Sequence, residues 1–386
     1  MRILGATIYA LGIPFVESFK HSTQARSFSD AVVVRLVDEE GNVGYGEGLP
    51  RPYVTGESVE SMVAFLETRL WPAIAGRPVP MIEQPDETEA FEAFLPDLEA
   101  PGVVAPHAAR AAMELALLDV SLKRQGRSLA HLLPPVRAQL TYSGVITAGS
   151  VEKAVQHARQ MKLVGLQSIK IKVGLADDVE RVRAVREVFG PGASLRLDAN
   201  GAWSLEEAIA ALEALAPFDI AAVEQPMPRG AIGDWAALRR ASPIPLMVDE
   251  SLVTMADAEA LIANEATDYF NLRISKCGGV LRARRMGRRA LAAGLRLQVG
   301  SQVGETAIGS AAGRHLAASL PELDFLEGSF GTLLLTEDIS LEPVKFGHRG
   351  LAPRLTGPGL GVRVADDRLE KYARRKVALT ADEVRA

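Results

Sequence analysis

Two lysines separated by a single residue are the first chemically informative feature of the sequence. They occur in residues 166–174, where β-branched residues favour a strand, and a strand directs alternate side chains to opposite faces. Lys170 and Lys172 are therefore predicted to share one face, with Ile169 and Ile171 on the other. A lysine amine can remove a proton, and an ammonium can return one or bind an anion. The pair predicts proton-transfer chemistry, unless the strand is an edge strand with a solvated face.

A polar or charged residue also ends each strand-like run that follows Lys172. Subtraction of residue numbers gives steps of 26, 26, 25, 27, 25 and 26 to these strand ends: Asp198, Glu224, Asp249, Lys276, Ser301 and Glu327. A repeat of this length, one strand and one helix, is typical of a parallel (β/α) barrel, whose functional groups lie at the carboxyl ends of successive strands. The spacing therefore predicts an α/β barrel with these side chains around its mouth.

Three carboxylates, Asp198, Glu224 and Asp249, end three consecutive strands of the predicted barrel. Carboxylates that converge on one barrel mouth repel one another unless a cation lies among them. A site that offers only oxygen ligands favours a hard divalent ion, Mg²⁺ or Mn²⁺. The alternative, in which each acid caps the following helix, accounts for single residues better than for the whole series. The sequence therefore predicts a magnesium site.

A second lysine is predicted to face the first across the barrel mouth. Strands two and six lie opposite each other in a closed eight-stranded barrel, which places Lys172 and Lys276 on the two sides of a metal-bound substrate carboxylate. This arrangement suits removal of a proton from the carbon next to the carboxylate, with the metal stabilising the enediolate. Lys172 is the predicted base. Lys170 is expected to tune its basicity or to pair with a carboxylate.

Composition and charge exclude several functional classes. The chain has 386 residues, of which 48% are hydrophobic, enough for two domains. The formal net charge is −5, so neither nucleic acid nor an anionic membrane is an expected partner. Cys277 is the single cysteine, which excludes an intrachain disulfide and favours a cytoplasmic location. No apolar run approaches about 18 residues, so neither a signal peptide nor a membrane-spanning helix is expected.

The strand and helix repeat does not extend over the whole chain. Residues 1–130 read as antiparallel strands followed by helices, which predicts an α+β capping domain. Residues 135–344 form the predicted barrel, and the tail, residues 345–386, is expected to pack back onto the cap. Seven helices are predicted between the barrel strands, over residues 150–164, 176–189, 204–215, 231–242, 256–264, 279–294 and 306–319.

The combination of motifs resembles the enolase superfamily, and within it the muconate-lactonizing subgroup. The motifs are Lys170-x-Lys172, Asp198-Ala-Asn200, Glu224-Gln-Pro, Asp249-Glu250-Ser and Lys276-Cys-Gly-Gly. The resemblance implies a capping domain and a modified (β/α)₇β barrel, with Mg²⁺ held by the three carboxylates and a substrate between Lys172 and Lys276. It also implies that Asn200 and Glu250 orient the ligands and the lysine. Sites of this superfamily use a Lys or His base with Mg²⁺ on the enediolate, which agrees with the chemistry inferred from the residues.

Several reactions within this resemblance stay open. Glu327, followed by Phe330-Gly, is similar to the muconate cycloisomerases, which makes a cycloisomerase the leading hypothesis. The Tyr53-Val-Thr-Gly-Glu loop is similar to that of dipeptide epimerases, so an amino-acid or dipeptide epimerase or racemase is an alternative, as is a dehydratase similar to o-succinylbenzoate synthase. The mandelate-racemase branch is disfavoured, because Lys276 and Ser301-Gln302 stand where it has Asp and His. A barrel that binds a carboxylate without turnover is the alternative outside the enzymes.

Substrate contacts are expected from the capping domain and from the end of strand seven. The candidates are His21, Arg51, Tyr53, Ser301 and Gln302. The cap loops would fold over the barrel mouth and exclude water, and the basic residues among them could meet a second carboxylate. The expected partner is a small-molecule carboxylate, and the resemblance implies a homo-oligomer.

Overall fold

The capping domain is an antiparallel sheet with helices on one face. The computed structural model describes residues 1–20, 25–85, 87–100, 102–147 and 149–385. The cap strands are β1 (Ile3–Leu11), β2 (Ile13–Lys20), β3 (Ala25–Ser29), β4 (Val32–Asp38) and β5 (Val43–Gly48). The cap helices are α1 (Val59–Phe65), which continues through a π-helical turn into α2 (Trp71–Ile74), then α3 (Glu89–Phe94) and α4 (His107–Arg124). The strands β1, β4 and β5 pair in that order.

Glycines on one face of β5 let the long helix α4 lie directly against the strand. Gly44, Gly46 and Gly48 are two residues apart, so they share a face. A Cβ added to Gly46 would collide with the backbone of α4 at Ala112 and Ala116, and the glycines on either side meet the same helix. The helix is buried along almost its entire length. The contact fixes the angle at which the cap sheet meets its helical layer.

Eight parallel strands of the described chain form the predicted barrel. They pair in chain order, and Ser143 N–H donates to Leu326 O at 2.8 Å, which joins the first strand to the last. The strands are β7 (Gly144–Ile146), β8 (Ser168–Lys172), β9 (Ser194–Asp198), β10 (Ile220–Glu224), β11 (Leu246–Val248), β12 (Tyr269–Leu272), β13 (Arg296–Val299) and β14 (Phe325–Leu326), preceded by β6 (Gln139–Thr141). The modified (β/α)₇β barrel is thus confirmed.

Helices cover the outside of the barrel at the places that the repeat predicts, with ends displaced by no more than two residues. They are α5 (Val151–Leu163), α6 (Asp178–Phe189), α7 (Leu205–Leu215), α8 (Ile232–Ala241), α9 (Met255–Ala263), α11 (Val280–Ala292) and α12 (Ala307–Ser319), with a short α10 (Ile274–Cys277) after β12. Side-chain oxygens of Ser150, Ser204, Thr254 and Thr306 cap four of them. Among the described residues, no helix has both the length and the apolar character needed to span a membrane.

The C-terminal tail divides between the barrel and the cap. Its first strand, β15 (Leu351–Pro353), pairs with β6, so this part of the tail lies beside the barrel. The next helix is α13 (Asp366–Tyr372). The strand β16 (Ala373–Thr380) then pairs antiparallel with β1 at the edge of the cap sheet, and α14 (Ala381–Arg385) follows. From Arg374 the chain forms an edge strand whose basic side chains are exposed.

Strand register explains why chemically active side chains meet at one end of the barrel. In the parallel pairing of β8 with β9, Lys172 is aligned with Asp198, and in the pairing of β9 with β10, Asp198 is aligned with Glu224. Strands that run in the same direction end on the same edge of the sheet, so these three side chains project from neighbouring positions. The barrel thereby brings residues 26 positions apart into contact.

The close approach of β5 and α4 gives a stability prediction. Gly46→Ala should lower the free energy of unfolding by about 2 kcal/mol, because the added methyl group meets backbone atoms that cannot move aside. Urea denaturation measures the change. Gly313→Ala is the matched control, since nothing lies within 4 Å of that position in α12, and it should be neutral or stabilising by up to about 1 kcal/mol. Equal effects of the two substitutions would contradict the steric account.

Candidate active site

A cavity of about 160 Å³ lies between the cap and the carboxyl ends of the barrel strands. Its polar wall consists of Lys170, Lys172, Asn200, Arg273, Ser301, Gln302 and Glu327, and its apolar wall of Tyr53, Val145, Val303, Phe330, Leu333 and Leu334. Tyr53 is the contribution of the cap, and the other residues come from strand ends and the segments that follow them. Of the predicted substrate-binding residues, Tyr53, Ser301 and Gln302 therefore line this cavity.

Lys172 is held at the cavity by two short hydrogen bonds. Its Nζ donates to Asp198 Oδ2 and to Asn200 Oδ1, both at 2.6 Å. Asn200 has a left-handed backbone, with φ of 47°, a conformation that asparagine adopts more readily than most residues. Its Nδ2 donates to Glu250 Oε1 at 3.3 Å. The structure thus places Asn200 in direct contact with the amine and Glu250 behind Asn200.

Lys170, the other lysine of β8, is surrounded by carboxylates. Its Nζ lies 2.6 Å from Glu327 Oε2, 3.2 Å from Asp198 Oδ2 and 3.5 Å from Glu224 Oε2. Burial alone would lower the pKa of Lys170, but the negative charges of Glu224, Glu327 and Asp198 together raise it above its ordinary value. Lys170 therefore remains an ammonium. Of its two predicted roles, tuning the basicity of Lys172 or pairing with a carboxylate, its contacts correspond to the second.

Glu327 is a paired carboxylate rather than a free acid. Its Oε1 accepts from Arg196 Nη1 at 2.9 Å, while its Oε2 accepts from Lys170. Burial by itself would raise the pKa of Glu327, but Lys170 and Arg196 lower it below its ordinary value. Arg196 also bonds to Gln298 Oε1, and Gln298 Nε2 donates to Glu224 Oε2 at 2.9 Å. The sequence reasoning missed Arg196 and Gln298.

The three predicted metal ligands are fully buried at adjacent strand ends. Asp198, Glu224 and Asp249 are each at most 1% exposed. Burial would raise the pKa of Asp198, yet Lys172 and Lys170 bring it below its ordinary value, so the group is ionised. Glu224 also accepts from Asn271 Nδ2 at 3.1 Å. Asp249 Oδ2 is buried and forms an ion pair with the Arg273 guanidinium, but the contact does not have the geometry of a hydrogen bond.

The three carboxylates are the type of ligand that a hard divalent cation prefers. In this structure, however, basic side chains of the protein lie between the carboxylates. Within the described ranges, no three His, Cys, Asp or Glu side chains already lie close enough together to hold a metal ion. Lys170 separates Asp198 from Glu224, and Arg273 separates Glu224 from Asp249. The three donors are buried carboxylates, and such an all-oxygen set suits Mg²⁺ or Mn²⁺. Binding such an ion requires the carboxylates to exchange these ammonium and guanidinium partners for the metal.

Lys276 does not face Lys172, contrary to the prediction. The strand β12 ends at Leu272, and the chain then turns into the short helix α10, which carries the lysine away from the cavity. Lys276 is 0% exposed, and its Nζ donates to Asp249 O at 2.7 Å, to Asn271 O at 2.8 Å and to Asp249 Oδ1 at 3.0 Å. Burial lowers the pKa of Lys276 to about 8. The Lys276 ammonium therefore donates to three acceptors, and two of these hydrogen bonds hold Asp249 in place.

Arg273 occupies the position that was expected for the second lysine. It is the first residue after β12, and it lines the cavity on the side opposite β8, since β8 and β12 are the second and sixth strands of the eight. Its guanidinium contacts Asp249 Oδ2, lies 3.4 Å from Glu224 Oε1 and donates to Gln302 Oε1 at 3.3 Å. A signal for this residue existed in the sequence, because Arg273 shares its strand face with Asn271, whereas Lys276 is out of phase with both.

Two predicted substrate contacts are not found at the cavity. Arg51 is 1% exposed, and its guanidinium donates to Asp30 Oδ1 at 2.9 Å, to Pro50 O at 2.7 Å and to Val303 O at 2.6 Å. It therefore joins the cap to the segment after β13 and does not line the cavity. His21 lies outside the described residues.

Glu250 is buried behind Asn200 and does not line the cavity. Burial, followed by the negative charges of Asp198 and Glu224, raises the pKa of Glu250 to about 7. Its Oε2 has no hydrogen-bond partner, while its Oε1 accepts from Asn200. Its contact is thus with the residue that holds the Lys172 amine, as expected for a group that orients the lysine indirectly.

The fold and the site define a class of protein, a two-domain barrel enzyme with lysines and carboxylates at its strand ends. Residues 153–368 match the family described as "Enolase C-terminal domain-like", and residues 6–134 match "Mandelate racemase / muconate lactonizing enzyme, N-terminal domain". The chain belongs to the enolase superfamily, in its muconate-lactonizing subgroup.

Relatives with different reactions resemble the chain to a similar degree. N-succinyl-L-Arg/Lys racemase of Bacillus cereus is 31% identical over 96% of this chain and 98% of that protein, and its crystal structure has a TM-score of 0.89 to this one. Muconate cycloisomerase 1 of Rhodococcus opacus is 30% identical over 97% and 99%. A dipeptide epimerase from Cytophaga hutchinsonii, crystallised with Mg and D-Ala-L-Val, has a TM-score of 0.87 at 28% identity, over 98% of this chain and 100% of that one.

The position of Lys276 gives a testable prediction. Lys276→Met should lower the free energy of unfolding by about 3 kcal/mol, because it leaves Asp249 and two buried carbonyl groups without their cationic partner. Urea denaturation measures the loss. Lys153→Met, on the exposed face of α5, is the control and should change stability by less than about 0.5 kcal/mol. A Lys276→Met protein of normal stability that has lost proton-transfer chemistry would instead support a role for Lys276 as a base.

Proposed function

We propose that the protein is a Mg²⁺-dependent isomerase that removes a proton from the carbon next to a substrate carboxylate, with Lys172 as the base. The observation that carries this proposal is the placement of Lys172 at the cavity, between Asp198 and Asn200. Lys170, the other cavity lysine, is committed to three carboxylates and is not available as a base. The lysine pair of β8 therefore has divided roles, one amine for proton transfer and one ammonium for charge balance.

Asp198, Glu224 and Asp249 would hold the metal ion. When bound, Mg²⁺ supplies positive charge for the substrate carboxylate and for the enediolate that forms on proton removal. The chain's own residues position the reaction. Asn200 fixes the Lys172 amine, and the Lys170 ammonium, braced by Glu327, adds positive charge where the anion develops.

The apolar wall of the cavity defines the other end of the substrate. Val145, Phe330, Leu333 and Leu334 lie across from the polar strand ends, and Tyr53 reaches in from the cap. These side chains would bind a neutral part of the substrate and exclude water from the reacting carbon. Arg51, which was expected to meet a second substrate carboxylate, pairs instead with Asp30.

A cycloisomerase of the muconate-lactonizing kind is the leading reaction. The end of β14 supports it, since Glu327 and Phe330, the residues that are similar to the cycloisomerase motif, both line the cavity. Racemisation or epimerisation of an acyl-amino acid or dipeptide is the second candidate, supported by the similarity to the racemase and the dipeptide epimerase. A dehydratase would use the same base. Lactone formation from a dienedioate, loss of chirality in an amino-acid derivative, and loss of water distinguish the three.

Lys172→Ala should abolish exchange of the α-proton of the substrate, because no other cavity amine is free to accept it. Exchange is measured by proton NMR in deuterated buffer with a panel of lactones, acyl-amino acids, dipeptides and dicarboxylates. Removal of a general base costs on the order of 10²-fold to 10⁴-fold in rate. Metal binding, followed by titration calorimetry, should persist. The matched control is Lys153→Ala, and exchange by Lys172→Ala at the wild-type rate would refute the assigned base.

Asp249→Asn should weaken Mg²⁺ binding, because it removes the negative charge of a buried carboxylate that is a proposed ligand. Titration calorimetry with Mg²⁺ and Mn²⁺ tests this without any substrate. The dissociation constant should rise by on the order of 10-fold to 100-fold, as for ligand-shell substitutions elsewhere. Asp367→Asn, an exposed carboxylate of α13, is the control. Unchanged affinity in Asp249→Asn would remove this residue from the metal site.

A further inference from the structure

The two sides of the cavity carry basic groups of different kinds. Both cavity lysines, Lys170 and Lys172, belong to β8 and so approach a substrate from the same side of the barrel. The opposite side, after β12, carries Arg273. Lys276, which could have supplied an amine from that side, is buried beneath Asp249 and bonded to three oxygens. The described cavity therefore has lysine on one side and arginine on the other.

Arginine cannot replace lysine in proton transfer. A guanidinium keeps its proton throughout the physiological pH range, and it has no lone pair that accepts one. Inversion of a carbon requires that one group removes the proton from one face and another group returns a proton to the opposite face. The remaining polar groups of the described wall are the amides of Asn200 and Gln302, the hydroxyls of Ser301 and Tyr53, and the Glu327 carboxylate, which is paired with Lys170 and Arg196. The amides and the Ser301 hydroxyl are much weaker acids than an ammonium, the paired carboxylate carries no proton to return, and the Tyr53 phenol extends from the cap rather than from the strand end opposite β8.

We infer that Arg273 makes proton transfer one-sided, so that the protein exchanges the α-proton with retention of configuration and does not racemise its substrate. This inference rests on the proposed function. In the forward step the C–H bond breaks, its electron pair enters the enediolate, and the proton passes to the Lys172 amine. The resulting ammonium returns the proton to the same face, or a β-substituent leaves with its bonding electrons. In the reverse direction, addition of a carboxylate oxygen to a double bond produces the same anion.

Arg273 does more than prevent proton transfer on the second face of the substrate, because it can also bind the substrate carboxylate. Its guanidinium reaches Glu224, Asp249 and Gln302, which are fixed to β10, β11 and the segment after β13. A planar guanidinium binds a carboxylate through two parallel hydrogen bonds and so orients it. When Glu224 and Asp249 exchange this guanidinium for a metal ion, it becomes available to fix the substrate carboxylate on the face that Lys172 does not approach. This division of labour suits cycloisomerisation and elimination, which need proton transfer on one face.

The test follows exchange and configuration in the same sample. Wild-type protein with Mg²⁺ is incubated in deuterated buffer with single enantiomers of lactones, acyl-amino acids and dipeptides, and then analysed by proton NMR and chiral chromatography. Deuterium incorporation with retained configuration is the expected result. Incorporation with inversion would overturn the inference while leaving the proposed function intact. Absence of incorporation from every carboxylate, with bound metal shown by calorimetry, would overturn the proposed function.

Two substitutions at Arg273 sharpen the test. Arg273→Lys supplies an amine that can carry a proton on the second face, and inversion should appear at a rate on the order of 10²-fold above the wild-type background. Arg273→Met removes the charge without supplying a base, so its exchange should slow while configuration is still retained. Circular dichroism and thermal unfolding establish that both variants fold. Inversion by the wild type that persists in Arg273→Met would show that another group serves the second face, and would refute the inference.

Discussion

Buried charges in contact with one another form the constraint on which the rest of the site depends. Around the barrel mouth, basic and acidic side chains alternate in an unbroken series of ion pairs, each with a nitrogen and an oxygen within 3.5 Å. The series runs through Lys172, Asp198, Lys170, Glu224, Arg273, Asp249 and Lys276. A buried charge without a partner costs several kcal/mol, so each member fixes the next. The alternation explains how so many ionised groups coexist at positions that are almost fully buried.

The same series determines what the site can bind. With Lys172 as the neutral base, the other three basic groups balance the three carboxylates, so a divalent metal ion adds two positive charges. Glu327 offsets Lys170, and Arg196 in turn offsets Glu327. An anionic substrate relieves the remaining imbalance, which is a physical reason for a carboxylate ligand. The ligand and the metal therefore depend on each other through the charges that both must neutralise.

The sequence predicts those parts of the site that follow from regular spacing. The 26-residue step located the barrel, its helices and the strand ends at Lys172, Asp198, Glu224 and Asp249, because each repeat adds one strand and one helix. The prediction failed at strand six, where β12 is four residues long and α10 begins two residues after it ends. Spacing counts residues but does not show where a strand stops. Because the chain changes from strand to helix within this repeat, the side chain that lines the cavity after β12 is Arg273 and not Lys276.

Contacts between distant parts of the chain were beyond the reach of local patterns. The Arg51 side chain was predicted to contact substrate because the Pro and Gly residues around it indicate a cap loop, but its partners include Val303, which is 252 residues away. Arg196 and Gln298 lie inside strands, and their side chains meet across the barrel interior although they are 102 residues apart. Stepping inward by two residues from Asp198 identifies Arg196, but the same step from the end of β13 does not reach Gln298, which only the folded barrel reveals.

Overall similarity does not decide the reaction, because a racemase and a cycloisomerase are nearly equally identical to this chain over almost all of its length. The barrel would supply the proposed metal ligands and the proposed base in either case, so a choice between reactions must reside in individual side chains at the cavity. We infer that the residue after β12 is such a side chain. A lysine there can donate and accept a proton, whereas Arg273 can only hold charge and bind an anion. The difference between one-sided and two-sided proton transfer thus reduces to whether the side chain facing Lys172 can lose its proton, a property of one residue that neither fold nor overall identity reports.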